Sequence, residues 1–190
     1  PLDSTLKLQL SQWIRQGKVI RLKKGFYTLN EMDRQARLSP YILINELYNP
    51  SYVSLEFALN HYGLIPEAAG SFTCITTNKT KTFKNQLGVF IYHRIKKHYF
   101  FGFTKNQSAD GHDYFLAQPE KAVLDFIYYT VPAKESDLRS VLLDNYRFQN
   151  LDILNNARLN EYASRFDVGK IKRAVPVLKE LVKEWEQNDR

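Results

Sequence analysis

The first regularity along the chain is a helical one. Leu6, Leu10, Trp13 and Ile14 fall at i, i+4, i+7 and i+8, which gathers them on one face of a helix over residues 4–16. Ser4 suits its N-cap, and Gly17 sits where a left-handed residue ends such a helix. The opposite face shows Leu8, Ser11, Gln12 and Arg15, an apolar residue in polar company. The period then changes. In KVIRLKKGFYTL, residues 18–29, two β-prone runs flank Lys23-Lys24-Gly25 and predict a hairpin. Asn30 to Leu38 is polar and charged and predicts a linker, with limited contact between what lies on either side.

Beyond the linker, Ser39-Pro40 opens a helix that Asn49-Pro50 breaks, and a further helix spans Ser54 to Tyr62 and stops at Gly63. Residues 71–116 are short, aromatic and β-branched in pattern. FTCITT, TKTF, GVFIYHRI, YFFGFT and DYFLA predict a meander of five strands. After Pro119 the helical period returns in KAVLDFIYYT, ESDLRSVLLDNY, LDILNNARLNEYASRF and KIKRAVPVLKELVKEWEQ, with Pro176 expected to start or kink the last. The fold class is therefore α+β.

Charge sharpens this picture. The 190 residues carry a net +7, but residues 1–30 hold six basic side chains against Asp3 alone, a net +5. Residues 78–105 hold seven basic side chains and no acid, which leaves −5 for the rest. Such islands are either electrostatic footprints for a polyanion or solvated faces. The architecture of the first favours function. The second is compatible with DNA, RNA, a regulatory partner or a solvated face, and its interleaved aromatics (Phe90, Tyr92, Tyr99, Phe100, Phe101, Phe103) read as core. The single cysteine, Cys74, excludes an intrachain disulfide framework and any multi-cysteine zinc site. It reads as a buried structural thiol in a reducing, cytoplasmic setting. No apolar run approaches the ~20 residues a bilayer span requires, so no membrane partner is expected.

A helix with a polar outer face fits a major groove, where Ser11, Gln12 and Arg15 reach base edges and Leu8 meets a thymine methyl. A hairpin tipped by Lys23 and Lys24 then straddles the neighbouring phosphates of double-stranded DNA. Lys7, Lys18 and Arg21 complete the expected DNA-binding set. The stretch LSQWIRQGKVIRLKKGFYTL resembles the recognition helix and wing of AbiEi-type antitoxins, regulators of type IV toxin–antitoxin systems. NPSYVSLEFALNHYGLIPE at 49–67 resembles that family's motif after the linker. Residues 73–104 and AQPEKAVLDFIYY at 117–129 resemble the strand region and the helix that follow. Together these blocks cover most of residues 8–130 in the family's order.

The resemblance implies a winged helix-turn-helix, here partial, over 1–32, followed by a mixed antiparallel-sheet and helical antitoxin domain over 38–190. It further implies a repressor of its own operon. The implied functional partner is a nucleotidyltransferase toxin, opposed without direct contact being required. A winged helix normally has two more helices before its recognition helix, and the chain begins at Pro1 without them. Leu6, Leu10 and Trp13 need partners, so the expectation is that upstream residues are missing.

The competing class is a metal-dependent nuclease built on Asp110, Asp113, Glu120 and Lys121. Glu120 and Lys121 are adjacent and point to different faces of a helix, which argues against it. Glu120 suits the first turn of that helix, where a carboxylate favours the dipole, and Asp125 in mid-helix needs a partner, an arginine or a backbone amide. His61, His93, His98 and His112 are dispersed, and no phosphate-binding glycine loop occurs. No catalytic residue, metal or cofactor is expected.

Overall fold

The computed structural model describes residues 4–35 and 38–188. Residues 36–37 of the expected linker lie outside it, as do the first three and last two residues of the two expected domains. The chain is α+β. Helix α1 (Ser4–Arg15) leads into a hairpin of β1 (Val19–Lys23) and β2 (Phe26–Leu29). Then come α2 (Pro40–Leu47), β3 (Ser51–Val53), α3 (Leu55–His61), β4 (Phe72–Thr76), β5 (Lys81–Asn85), β6 (Gly88–Arg94), β7 (Phe103–Gln107) and β8 (Asp113–Ala117). Four helices follow: α4 (Pro119–Thr130), the short α5 (Leu138–Ser140), α6 (Asn156–Ser164) and α7 (Gly169–Asn188).

The sheet is not the expected meander. Its order is β5-β6-β4-β3-β8-β7, and the β4–β6 and β3–β8 pairs are parallel. The missed strand, β3, lies at the centre. Its three residues are buried on both faces, so it shows no alternation of apolar and polar positions to read. Placing β3 between β4 and β8 makes one crossover that a meander lacks, and the return of β5 to the outer edge of β6 makes the other. The strand starting at Tyr99 is also displaced: Lys97–Tyr99 forms a 3-10 turn, and β7 begins at Phe103.

Helices cover both faces. On one, Tyr92 donates its hydroxyl to the Ile44 carbonyl of α2 at 2.6 Å, and Tyr41 packs on Phe72 and Tyr114. On the other, α4 meets β3 through a fully buried polar cluster. The Asp125 carboxylate accepts from the Lys121 ammonium, from the Tyr52 hydroxyl at 2.9 Å and from Ser54 Oγ at 2.9 Å. Lys121 also donates to the Tyr52 oxygen at 2.8 Å and lies over the rings of Phe101 and Phe166. The partner of Asp125 is thus neither an arginine nor a backbone amide but a lysine one turn earlier and two hydroxyls. Burial pushes the Asp125 carboxyl up and the Lys121 ammonium down, each toward its neutral form, and their contact pulls the other way. Gly102 (φ +73°) passes over this cluster, and a Cβ there would meet Lys121 Cγ at 3.0 Å.

The tail departs from the expected helices in three places. Val141–Asn145 continues α5 as a π-helical turn rather than as α-helix. The segment from Leu151 splits at Asn155, whose side chain accepts from the Arg158 N–H at 2.9 Å and starts α6 afresh. Pro176 does not start the last helix but lies inside it. An internal proline costs roughly 3 kcal/mol. Ile171, Ala174, Leu178, Leu181 and Val182 are all buried on one face, and each large side chain contributes roughly 1.5–3 kcal/mol, so burial wins.

Candidate nucleic-acid interface

Helix α1 ends in a Schellman turn. Lys18 N–H reaches the Trp13 carbonyl at 3.0 Å and Gly17 N–H the Ile14 carbonyl at 3.1 Å, with Gly17 at φ +72°. This turn aims the chain directly into β1, and Asn30 N–H closes the hairpin on the Lys18 carbonyl at 2.9 Å. Helix and hairpin are therefore joined by a fixed turn rather than a loop.

No residue of α1 is buried. Lys7, Leu8, Ser11, Gln12 and Arg15 are all exposed, Leu8 to 68%. The face expected to pack is open too, with Leu6 50% and Trp13 40% exposed and only Leu10 and Ile14 half-buried. Among the described residues one helix precedes the hairpin, so a complete winged helix-turn-helix is not present there.

The hairpin tip divides its two lysines. Lys24 is exposed, as are Lys18 and Arg21. Lys23 instead turns inward, donating to the carbonyls of Glu46 at 2.6 Å and Leu47 at 2.9 Å at the C-terminal end of α2. An ammonium there satisfies orphan carbonyls and the negative end of the helix dipole. The cause is a bulge: Arg21 pairs with Tyr27 but Lys23 with Phe26, so Leu22 is the extra residue. Leu22 is buried with the main core, and its carbonyl accepts from Asn85 Nδ2 of β5 at 3.5 Å. Hairpin and sheet are joined by these contacts. Asn85 escaped the sequence reading because a contact across 63 positions leaves no local signal.

The second basic island is not one patch. Lys81 and Lys84 lie on β5 and Lys105 on β7, the two opposite edges of the sheet, five strand spacings or roughly 24 Å apart. Lys81 rests over the rings of Tyr48 and Phe83, and Lys105 pairs with Asp113 at 2.6 Å. The interleaved aromatics are core: Phe90, Tyr92, Tyr99 and Phe101 are buried, and Phe100 and Phe103 pack against Tyr52.

The four candidate nuclease residues do not converge on a surface. Asp110 lies in the β7–β8 turn, hydrogen-bonded to Ser108, and Asp113 is in the pair with Lys105. Glu120 and Lys121 are fully buried and serve different neighbours. Glu120 accepts from Asn155 N–H at 2.8 Å and from Arg158 at 3.4 Å, linking α4 to the start of α6. Among the described residues no group of three or more His, Cys, Asp or Glu is disposed to hold a metal ion. Cys74 is fully buried, and desolvation pushes its thiol far above the ordinary range. No helix among the described residues is long and apolar enough to cross a membrane. The chain matches no known protein-family model, and no curated protein matches it.

Proposed function

We propose that the chain is a DNA-binding transcriptional regulator that represses its own operon and acts as the antitoxin of a type IV toxin–antitoxin system, in the cytoplasm, against a nucleotidyltransferase toxin. The observation that carries the DNA-binding part is α1, none of whose residues is buried, with Lys7, Ser11, Gln12 and Arg15 exposed and joined by a fixed turn to a hairpin bearing exposed Lys18, Arg21 and Lys24. Side chains of these types reach base edges from a helix and phosphates from a hairpin. An exposed Leu8 on the same helix suits a thymine methyl. The antitoxin part rests on the sequence resemblance over residues 8–130.

The test is a mobility-shift titration of the chain on its own upstream promoter and on random duplex, beside rescue of cells expressing a neighbouring nucleotidyltransferase. Promoter binding at least tenfold tighter than random binding, together with rescue, supports both parts. Equal affinity for the two duplexes removes the regulator reading, and absence of rescue removes the antitoxin reading.

A further inference from the structure

Arg34 stands apart from the other shielded charges of this fold. Its Nε donates to the Asn30 carbonyl at 3.1 Å, in the turn where Asp33 N–H also reaches Asn30 Oδ1 at 2.7 Å. That contact accounts for the stem of the side chain but not for its terminal fork. One of the two fork nitrogens, Nη1, is shielded from solvent and has no hydrogen-bond partner. Nor does the guanidinium enter an ion pair among the described residues. Lys121 and Glu120, the charges buried elsewhere, are both paired. A guanidinium cannot shed its proton to escape the cost of burial, so an unpaired nitrogen there calls for a partner.

The surroundings offer room for one. The hairpin, the segment after it and the β5–β6 turn enclose a cleft of about 670 Å³, with Arg34 in its wall. Ile14 and Gly17 close it at the end of α1, and Asn85, Gln86 and Leu87 close it on the side of the sheet. Its apolar lining includes Ile20, Leu22, Leu38 and Leu87, all buried or half-buried. An apolar cleft between two structural units with one charged group in its wall is the usual make-up of a small-molecule site.

Charge narrows the ligand. Arg21 and Arg34 against Glu31 leave the lining with one net positive charge, which balances a monoanion. A phosphate monoester brings close to two negative charges beside Glu31, whereas a carboxylate brings one. The open end of a guanidinium also matches the two oxygens of a carboxylate. We infer that this cleft binds a carboxylate monoanion with an apolar body, its oxygens on the fork of Arg34 and its body against Ile20, Leu38 and Leu87. This assignment does not depend on the DNA-binding reading.

Isothermal titration of the whole chain with benzoate, hexanoate and indole-3-acetate tests it, beside their primary amides and phenyl phosphate. At least one carboxylate should bind saturably at one site per chain, with a dissociation constant of roughly millimolar or tighter. Its amide should bind about tenfold more weakly or worse, and phenyl phosphate more weakly than benzoate. Arg34→Gln should weaken carboxylate binding about tenfold or more. Should that variant not fold, nitrogen-15 NMR of the unaltered chain decides: the Arg34 Nε–H and Leu87 N–H signals should shift in step with binding. Absence of saturable binding by all three carboxylates up to roughly ten millimolar overturns the proposal. So does an amide or phenyl phosphate that binds as tightly, binding that a folded Arg34→Gln leaves within twofold, or shifts confined to other parts of the chain.

Discussion

Lys121→Met removes one charge from the core while keeping the buried stem, and so isolates the electrostatics of the cluster between α4 and β3. In the variant the Asp125 carboxylate retains the hydroxyls of Tyr52 and Ser54 but loses its only cation. It then either stays ionised in a dry site or takes up a proton. Protonating an ordinary carboxyl at pH 7 costs about 4 kcal/mol, which caps the electrostatic loss. The lost Lys121–Tyr52 hydrogen bond adds about 1 kcal/mol. The expected loss is therefore about 3–5 kcal/mol, the range typical of breaking a buried pair from one side.

Lys121→Met with Asp125→Asn removes both charges and keeps an acceptor for the two hydroxyls, so it should lie within about 2 kcal/mol of the unaltered protein. The pH dependence has a definite sign. Without its cation, the folded Asp125 carboxyl is raised by burial above its unfolded value. The folded form of the single variant therefore binds protons more readily than the unfolded form. Its stability is greatest below the unfolded carboxyl range and falls as pH rises through and above it. The gap to the unaltered protein should be small near pH 4 and widen toward pH 7. Urea unfolding read by the fluorescence of Trp185, which packs on the core, measures it. A gap below about 1 kcal/mol at pH 7, or one that does not change with pH, would refute the reasoning.

Four further outcomes follow from the geometry. Arg15→Ala should lose about 1–3 kcal/mol on the cognate promoter and much less on random duplex in the same titration; equal losses would remove Arg15 from base reading. The paired lysines should separate. Lys24→Ala should lower the slope of log affinity against log salt by about one without altering stability, whereas Lys23→Ala should lower the urea midpoint, because Lys23 holds the end of α2. Glu120→Ala should destabilise by about 1–3 kcal/mol, since it leaves Asn155 N–H without its acceptor, yet spare DNA binding in the mobility shift. Cys74 should resist a thiol reagent in the folded protein and react only at the rate of unfolding, which a denaturant series with Ellman's reagent checks.

Local order was legible in the chain itself. The helix over 4–16 with its glycine stop, the hairpin around Lys24-Gly25, the Ser39-Pro40 helix start and most strands are specified by side-chain period and capping chemistry, which act over a few residues. The periodicity marked one face of α1 for packing, yet Leu6 and Trp13 on that face are exposed as well. What needed the tertiary structure is whatever depends on residues far apart. β3 carries no pattern of its own, because a strand buried on both faces has no polar side to alternate with. Its central place gives the parallel β3–β8 pair, and β5 lying outside β6 rather than beside β4 gives the parallel β4–β6 pair, so the expected meander does not form. Lys23 and Lys24 are identical in type and adjacent in sequence, yet a one-residue bulge sends one onto α2 and leaves the other in solvent. The basic run of residues 78–105 looks continuous in the chain but is spread to both edges of the sheet, because neighbouring strands in sequence are not neighbours in space.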